Sequence, residues 1–214
     1  MTMETSKILG GIGAILMFIG APAFFATYAF GAIIALVGLI LVMVAAYNFG
    51  NYYAETGIFN NALYGLIAGI VGVVIAGVTL AFAVLTSLTD FLQTIYPTWN
   101  GQDWTAIQGL TPDLTNMTFD AVLPFVVGIL AALLILWVFA IIATFFVRRS
   151  LVKLSAKSGV GLFSTAGLLM LVGAFLIIAF GLGLILIWIG ALIIAIAFFT
   201  MKPQESQPAA PSQM

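Results

Sequence analysis

The chain has 214 residues, 64% hydrophobic and only 6% charged, with six Lys or Arg, seven Asp or Glu, no His and no Cys. A water-soluble domain covers its surface with about 25% charged residues, so that class is excluded. So are disulfides, thiolate nucleophiles, imidazole ligands and the usual haem or iron–sulfur ligation, except through Met. The net charge of −1 says little about partners, because the placement of charge matters more than its sum; no nucleic-acid partner is expected.

Runs longer than about 18 apolar residues, the length that crosses a hydrocarbon layer about 30 Å thick, recur along the chain. They are apolar on every face and do not alternate, which argues for helices over a closed barrel. The expected fold class is all-α: a polytopic transmembrane bundle of six helices. Ile8 to Tyr47 contains no charge and is long enough for two crossings. Its break is expected around "GAPAFFATYAFG", where Gly20, Pro22 and Gly31 supply turn chemistry, giving helix one at about 7–24 and helix two at about 29–49. Gly10, Gly13 and Gly20 put small residues along helix one, and Met17, Met43 and Met170 read as flexible filler. A competing reading takes Lys7, the apolar run and "APA" at 21–23 as a signal peptide. It would leave five helices with the sidedness of the rest unchanged.

The connection "YNFGNYYAETGIFNN" is rich in the Tyr and Asn that sit at headgroup level. Helix three, about 62–89, opens on "YGLIAGIVG", where Gly65 and Gly69 form GxxxG and Ala68 and Gly72 a second small pair. Such a face lets another helix approach closely. These four are the expected helix-packing residues, for internal packing ahead of dimerisation. The outer segment, 90–118, leads to Asp120; with Asp90, Asp103 and Asp113 it holds four of the seven acids and no Lys or Arg. Their spacing matches no cation-binding loop, so a solvated acidic segment is expected. Tyr96, Trp99 and Trp104 read as headgroup anchors, and "NMT" at 116–118 is a glycosylation sequon.

Helix four is expected at about 119–147, with Pro124 in its first turn. The stretch "RRSLVKLSAKSGVGLFSTA" then collects Arg148, Arg149, Lys153 and Lys157, four of the six cations. Their spacing, with Leu151, Val152 and Leu154 on an apolar side, predicts a short interfacial helix that anchors topology against anionic lipid. The four cations are the candidate lipid-headgroup residues, and Glu55 and nearby Asn residues are candidate partners. Helices five and six follow at about 160–179 and 182–201, divided near Gly181 and Gly183. The Pro-, Gln- and Ser-rich tail 203–214 is expected to be disordered.

Lys7, the four cations after helix four, and Lys202 are separated by even numbers of crossings. All six therefore lie on one side, cytoplasmic by the positive-inside rule. The bundle is N-in/C-in, one domain over 1–202, with the segment between helices three and four outside. "AILMFIGA" (14–21) resembles "GLLMLVGA" (167–174), and "ALVGLILVMVAAY" (35–47) resembles "IWIGALIIAIAFF" (187–199), so helices one and two echo five and six. "AETGIFNNA" (54–62) echoes "AKSG" and "GLFSTA" (156–166) in a competing alignment.

The central parts of the helices hold no Asp, Glu, Lys or Arg. Each ionisable group at that depth costs about 2.5–3.5 kcal/mol and marks proton relays or ion-coupled transport, so a pump is disfavoured. Thr79, Thr86 and Thr144 are the hydroxyls at depth, expected to bond a carbonyl one turn back ahead of lining a pore. No phosphate loop, metal-ligand cluster or nucleophile with a base is present. No catalytic, cofactor-binding or metal residue is assigned, and an enzyme is not expected.

"GLFSTAGLLMLVGAFLIIAFGLGLILIWIGALIIAIAFFTMK" after "LSAKSGV", with "LGGIGAILMFIG" and "YYAETGIFNNALYG", resembles an archaeal family of integral membrane proteins catalogued as domain of unknown function 996. The resemblance runs from Lys7 to Lys202, is strongest in the last two helices, and does not extend to Asp90–Asp120. It implies an archaeal plasma membrane and carries over no functional residue. The expected function is that of a non-catalytic integral membrane protein, a packing or scaffold subunit of a membrane complex. The alternative is a passive channel or carrier for a small neutral or lipophilic solute. Expected partners are membrane lipids, with another membrane protein or a second copy of the chain.

Overall fold

The structure, a computed structural model, describes residues 2–27, 29–115, 117–179 and 181–202. The tail 203–214 and Asn116 of the sequon lie outside the described residues. Six α-helices run in chain order: α1 Met3–Thr27, α2 Ala29–Tyr52, α3 Gly57–Ile95, α4 Phe119–Ser158, α5 Leu162–Leu176 and α6 Leu182–Thr200, with a 3₁₀ turn at Ala106–Gly109. All except α5 are long and apolar enough to cross a membrane. With 15 residues, α5 spans only about 22 Å at 1.5 Å per residue. It stops short of the expected 179 because the chain turns at 177–179, and Gly181 takes φ 74°, a left-handed conformation that glycine adopts without a Cβ penalty.

Helices α3 and α4 are longer than expected, 39 and 40 residues, or about 60 Å each. That is twice a hydrocarbon layer of about 30 Å, so both must extend into headgroups or water. The basic stretch is not a separate interfacial helix; it forms the last turns of α4. Leu151 and Leu154 stay buried along one side of it, and no helix breaker intervenes before Gly159, whose φ of 72° ends the helix.

The chain divides into two compact units, Met1–Ile67 with Ile141–Met214, and Ala68–Ala140. In the first, the rings of Phe49, Phe163 and Phe198 are buried together, with Phe163 edge-on to Phe198 at 4.9 Å and Phe49 stacked on it at 5.9 Å. Ile58, Leu154 and Met201 are buried in the same core. The α1–α2 hairpin is held by bare backbone: a Cβ on Gly13 would lie 2.6 Å from the Gly38 carbonyl, and one on Gly20 would lie 2.6 Å from the Ala35 nitrogen.

The echo in the sequence has a counterpart in this packing. Gly38 meets Gly13 and Met17, while Gly190 meets Ala166 and Met170, the residues at the corresponding positions of the repeat. Gly20 meets Ala35, and Gly173 meets Ile187, again at corresponding positions. The two hairpins thus share one register. They differ where Ala166 replaces the glycine: the Gly190 Cβ position is 3.6 Å from the Ala166 carbonyl, against 2.5 Å for Gly38 and the Gly13 carbonyl. In α5–α6 the tightest crossing has moved to Gly173 and Gly183.

The break expected within "GAPAFFATYAFG" falls after Thr27, three residues beyond the expected end at 24, and α1 runs through Pro22 to reach it. Proline lacks the N–H that would bond the carbonyl four residues back, here that of Phe18. The indole Nε1–H of Trp188, from α6, donates to that carbonyl at 2.7 Å, and its ring stacks on Phe18 at 4.5 Å. A neighbouring helix therefore supplies the bond that the proline removes, the condition under which proline persists in a membrane helix.

In the second unit the two helical segments run antiparallel. Gly72 lies against Phe139, Gly128 against Ala83, and Phe91 stacks on Phe125 at 4.8 Å. Trp99, expected as a headgroup anchor, is instead buried at 3% exposure. Its Nε1–H donates to the Asp103 carbonyl at 2.7 Å, and Trp104 packs against it at 4.9 Å. A short polar turn needs one large ring to bury, and Trp99 fills that need while Trp104 stays half exposed.

Candidate functional site: a basic pocket at the end of α4

The place where chemistry-bearing side chains converge is built by the last turns of α4 and the first turn of α3, within the first unit. Phe145, Arg148, Arg149 and Val152 recur at the three- and four-residue spacing that puts side chains on one helix face. With Lys153 and Asn61 they line a pocket of about 610 Å³. Three of the lining residues are cationic and two apolar.

Several contacts fix this wall. Ser150 is buried, and its hydroxyl donates to the Ile58 carbonyl at 2.5 Å, tying α4 to the start of α3. Gly167 of α5 brings its backbone onto that of Arg148; a Cβ there would lie 3.0 Å from the Arg148 Cα. The Arg149 guanidinium stands 5.1 Å from the centre of the Phe145 ring, a cation–π distance. The Arg148 Nε–H is shielded from solvent and has no hydrogen-bond partner among the described residues.

Lys153 donates to the Glu55 carboxylate at 2.7 Å. Glu55 reaches it from the turn after α2, where Ala54 holds φ 50°, a left-handed conformation that costs a residue with a Cβ about 1–2 kcal/mol. The turn closes when the Glu55 N–H donates to the Gly50 carbonyl at 2.8 Å. The absence of a side chain at Gly57 leaves room for the Lys153 ammonium, which a Cβ would strike. The hydrogen bond and charge of Lys153, with the charge of Lys157 adding, hold the Glu55 carboxyl below its ordinary pKa. A depressed folded-state pKa means the pairing contributes fully above the ordinary carboxylate pKa and is lost only as pH falls through the depressed value. The pair is thus intact at neutral pH.

Of the four expected headgroup residues, Arg148, Arg149 and Lys153 meet at the pocket. Lys157 lies one turn further along the helix, exposed and outside the lining. Phe145 and Val152 were not singled out as lining residues from sequence. The same helical spacing links them to Arg148 and Arg149, but ending helix four at 147 hides it. Of the helix-packing residues, Gly65 lies against the Ala143 carbonyl and Val147, and Gly72 against Phe139, while Ala68 and Gly69 are half-buried.

The hydroxyls at depth bond their own helices: Thr79 to the Ile75 carbonyl at 2.9 Å, Thr86 to Phe82 at 2.8 Å and Thr144 to Ile141 at 3.1 Å. In the segment between α3 and α4 the Asp103 carboxylate accepts from the Thr105 hydroxyl and N–H, and the Asp113 carboxylate from the Thr115 hydroxyl and N–H. These bonds hold both carboxyls below their ordinary pKa. Among the described residues no three His, Cys, Asp or Glu gather as a metal-ligand group.

A family model described as a protein of unknown function (DUF996) matches residues 34–197, a span that contains every residue lining the pocket. The uncharacterized protein MJ1644 of Methanocaldococcus jannaschii is 28% identical over 201 residues, 94% of this chain and 94% of its own length. No solved structure gives a significant match.

Proposed function

The chain belongs to the DUF996 family of proteins of unknown function, and we propose that it is a non-catalytic, multi-pass protein of the cell membrane that serves as a packing or scaffold subunit of a larger assembly. The observation that carries this reading is an open helix-packing groove on α3. Gly77 and Ala81 are exposed one turn apart, and nothing lies within 4 Å of where a Gly77 Cβ would stand. Around them Val73, Val78 and Phe82 are more than 60% exposed. Small-xxx-small faces in lipid are where a second helix approaches closely enough for dispersion to hold it. The solute-pathway reading finds less support, because the hydroxyls of Thr79 and Thr86 are already engaged by their own helix.

After mild solubilisation, the 22.6 kDa chain is expected to run as a complex of fixed stoichiometry. Gly77→Leu is expected to break that complex with little change in the fold, since the groove has no occupant from within the chain. A strictly monomeric particle with no partner would overturn the subunit reading.

The proposal includes a sidedness, with all six cations on the cytoplasmic face. It rests on the even number of crossings between Lys7, the basic end of α4 and Lys202, with α5 counted as a crossing despite its length. Because the chain has no native Cys, single-cysteine variants Lys157→Cys and Asp103→Cys can be labelled in intact cells. The outer position alone is expected to react with an impermeant reagent. Reaction of both from one side would refute the topology.

A further inference from the structure

We propose that the pocket between α3 and α4 binds the phosphate group of an anionic amphiphile, with Arg148 and Arg149 as its principal contacts and Lys153 as a third cation shared with Glu55. The inference is independent of the subunit reading, since it concerns different residues.

The charge balance comes first. Among the described residues Glu55 is the one carboxylate paired with this cluster, and it is taken by Lys153 at 2.7 Å. Two guanidiniums therefore stand beside a pocket of about 610 Å³ with no carboxylate among the described residues paired to them. A guanidinium presents its N–H groups as a planar fork that fits phosphate oxygens in pairs. The shielded, unpartnered Arg148 Nε–H is a second and separate sign: a buried donor costs free energy unless something accepts from it.

The rest of the lining states what else the ligand must be. Phe145 and Val152 line the same pocket, so it offers apolar surface beside the cations. Helix α4 is about twice the length needed to cross the hydrocarbon layer, and its last turns, which carry the charges, must emerge at headgroup level. A free phosphate satisfies only the cations, whereas a phosphate attached to an apolar tail satisfies both the cationic and the apolar lining. The Arg149–Phe145 stacking holds the guanidinium at the boundary between them.

Lys157 serves as an internal control. It belongs to the same basic run but lies outside the lining, so diffuse attraction to a negative surface would weigh it equally with the arginines, and a built site would not.

The test uses the full chain in neutral detergent, with bound lipid counted by native mass spectrometry and the melting temperature followed in parallel. Phosphatidylglycerol is expected to bind in preference to phosphatidylcholine. Arg148→Gln with Arg149→Gln is expected to weaken it about tenfold, the scale of one or two charge-assisted hydrogen bonds, while Lys157→Gln stays within about twofold. Glu55→Gln, at a half-buried residue outside the hydrophobic core, is expected to free Lys153 and tighten binding, which keeps the test decisive if the double arginine variant fails to fold. Inorganic phosphate is the second arm. Stabilisation by phosphate alone, lost with the same arginines, would support the phosphate site and identify a soluble source for it. Equal losses for Lys157→Gln and the double variant, or no preference for phosphatidylglycerol together with no response to phosphate, would overturn the proposal.

Discussion

Gly183→Val is expected to separate α5 from α6 and to lower the melting temperature of the detergent-solubilised protein more than any other single glycine replacement. A Cβ at Gly183 would fall onto the Gly173 carbonyl oxygen, 2.5 Å from the Ile177 nitrogen and 2.7 Å from the Leu176 carbonyl carbon. All three are backbone atoms, which cannot swing aside as a side chain can. Overpacking a core costs about 1–3 kcal/mol when side chains can adjust; here they cannot, so about 3 kcal/mol or more is expected. That is a large share of a total stability of about 5–15 kcal/mol.

The repeat supplies a graded series around this result. Gly38→Ala is expected to be costly, because its Cβ would meet the Gly13 carbonyl at 2.5 Å and the Met17 nitrogen at 2.8 Å. Gly190→Ala at the corresponding position is expected to cost much less, since its near neighbour is the Met170 side chain at 2.5 Å, which is flexible. Gly77→Ala, with open space around it, is expected to be neutral or to gain up to about 1 kcal/mol from helix propensity. Equal effects at Gly38 and Gly190 would show that backbone proximity is not what sets the cost.

The fold class was legible because lipid imposes a simple rule: uncharged runs of sufficient length become helices, and the runs from Ile8 and from Leu162 are each long enough for more than one. The division of the second run was legible from Gly181 and Gly183, whose chemistry is local. The length of α4 was not, because the change in composition at Arg148 reads as the end of a helix. What continues the helix is burial of Leu151 and Leu154 against other elements, and that is a tertiary fact. The site was legible only in part for the same reason. Arg148, Arg149 and Lys153 advertise themselves by charge, but the pocket exists because α3 brings Asn61 and the Ile58 carbonyl to them across a long sequence separation. Gly13 stands out in the sequence as a small residue; that it meets Gly38 is again a tertiary fact.

Pro22 is the plainest case of a residue whose meaning lies elsewhere in the chain, and it carries the second large prediction. Trp188→Ala is expected to destabilise the protein by about 2–4 kcal/mol, combining a lost ring contact with an orphaned Phe18 carbonyl. In water a freed carbonyl recovers a partner from solvent, but α1 at this depth faces lipid, where none is available. Trp188→Phe separates the two contributions. It keeps an aromatic ring over Phe18, where the indole now stacks at 4.5 Å with the planes 2° apart, and removes only the donor. Its cost is expected near 1 kcal/mol, the scale of hydrogen bonds between membrane helices. Pro22→Ala restores an N–H one turn after Phe18, so in that background the carbonyl is satisfied within α1 and Trp188→Phe should cost almost nothing. The double-mutant cycle thus reads the hydrogen bond directly. If Trp188→Phe costs the same with and without the proline, the indole N–H contributes nothing to holding α6 on α1, and ring stacking alone joins the two repeated hairpins at that point.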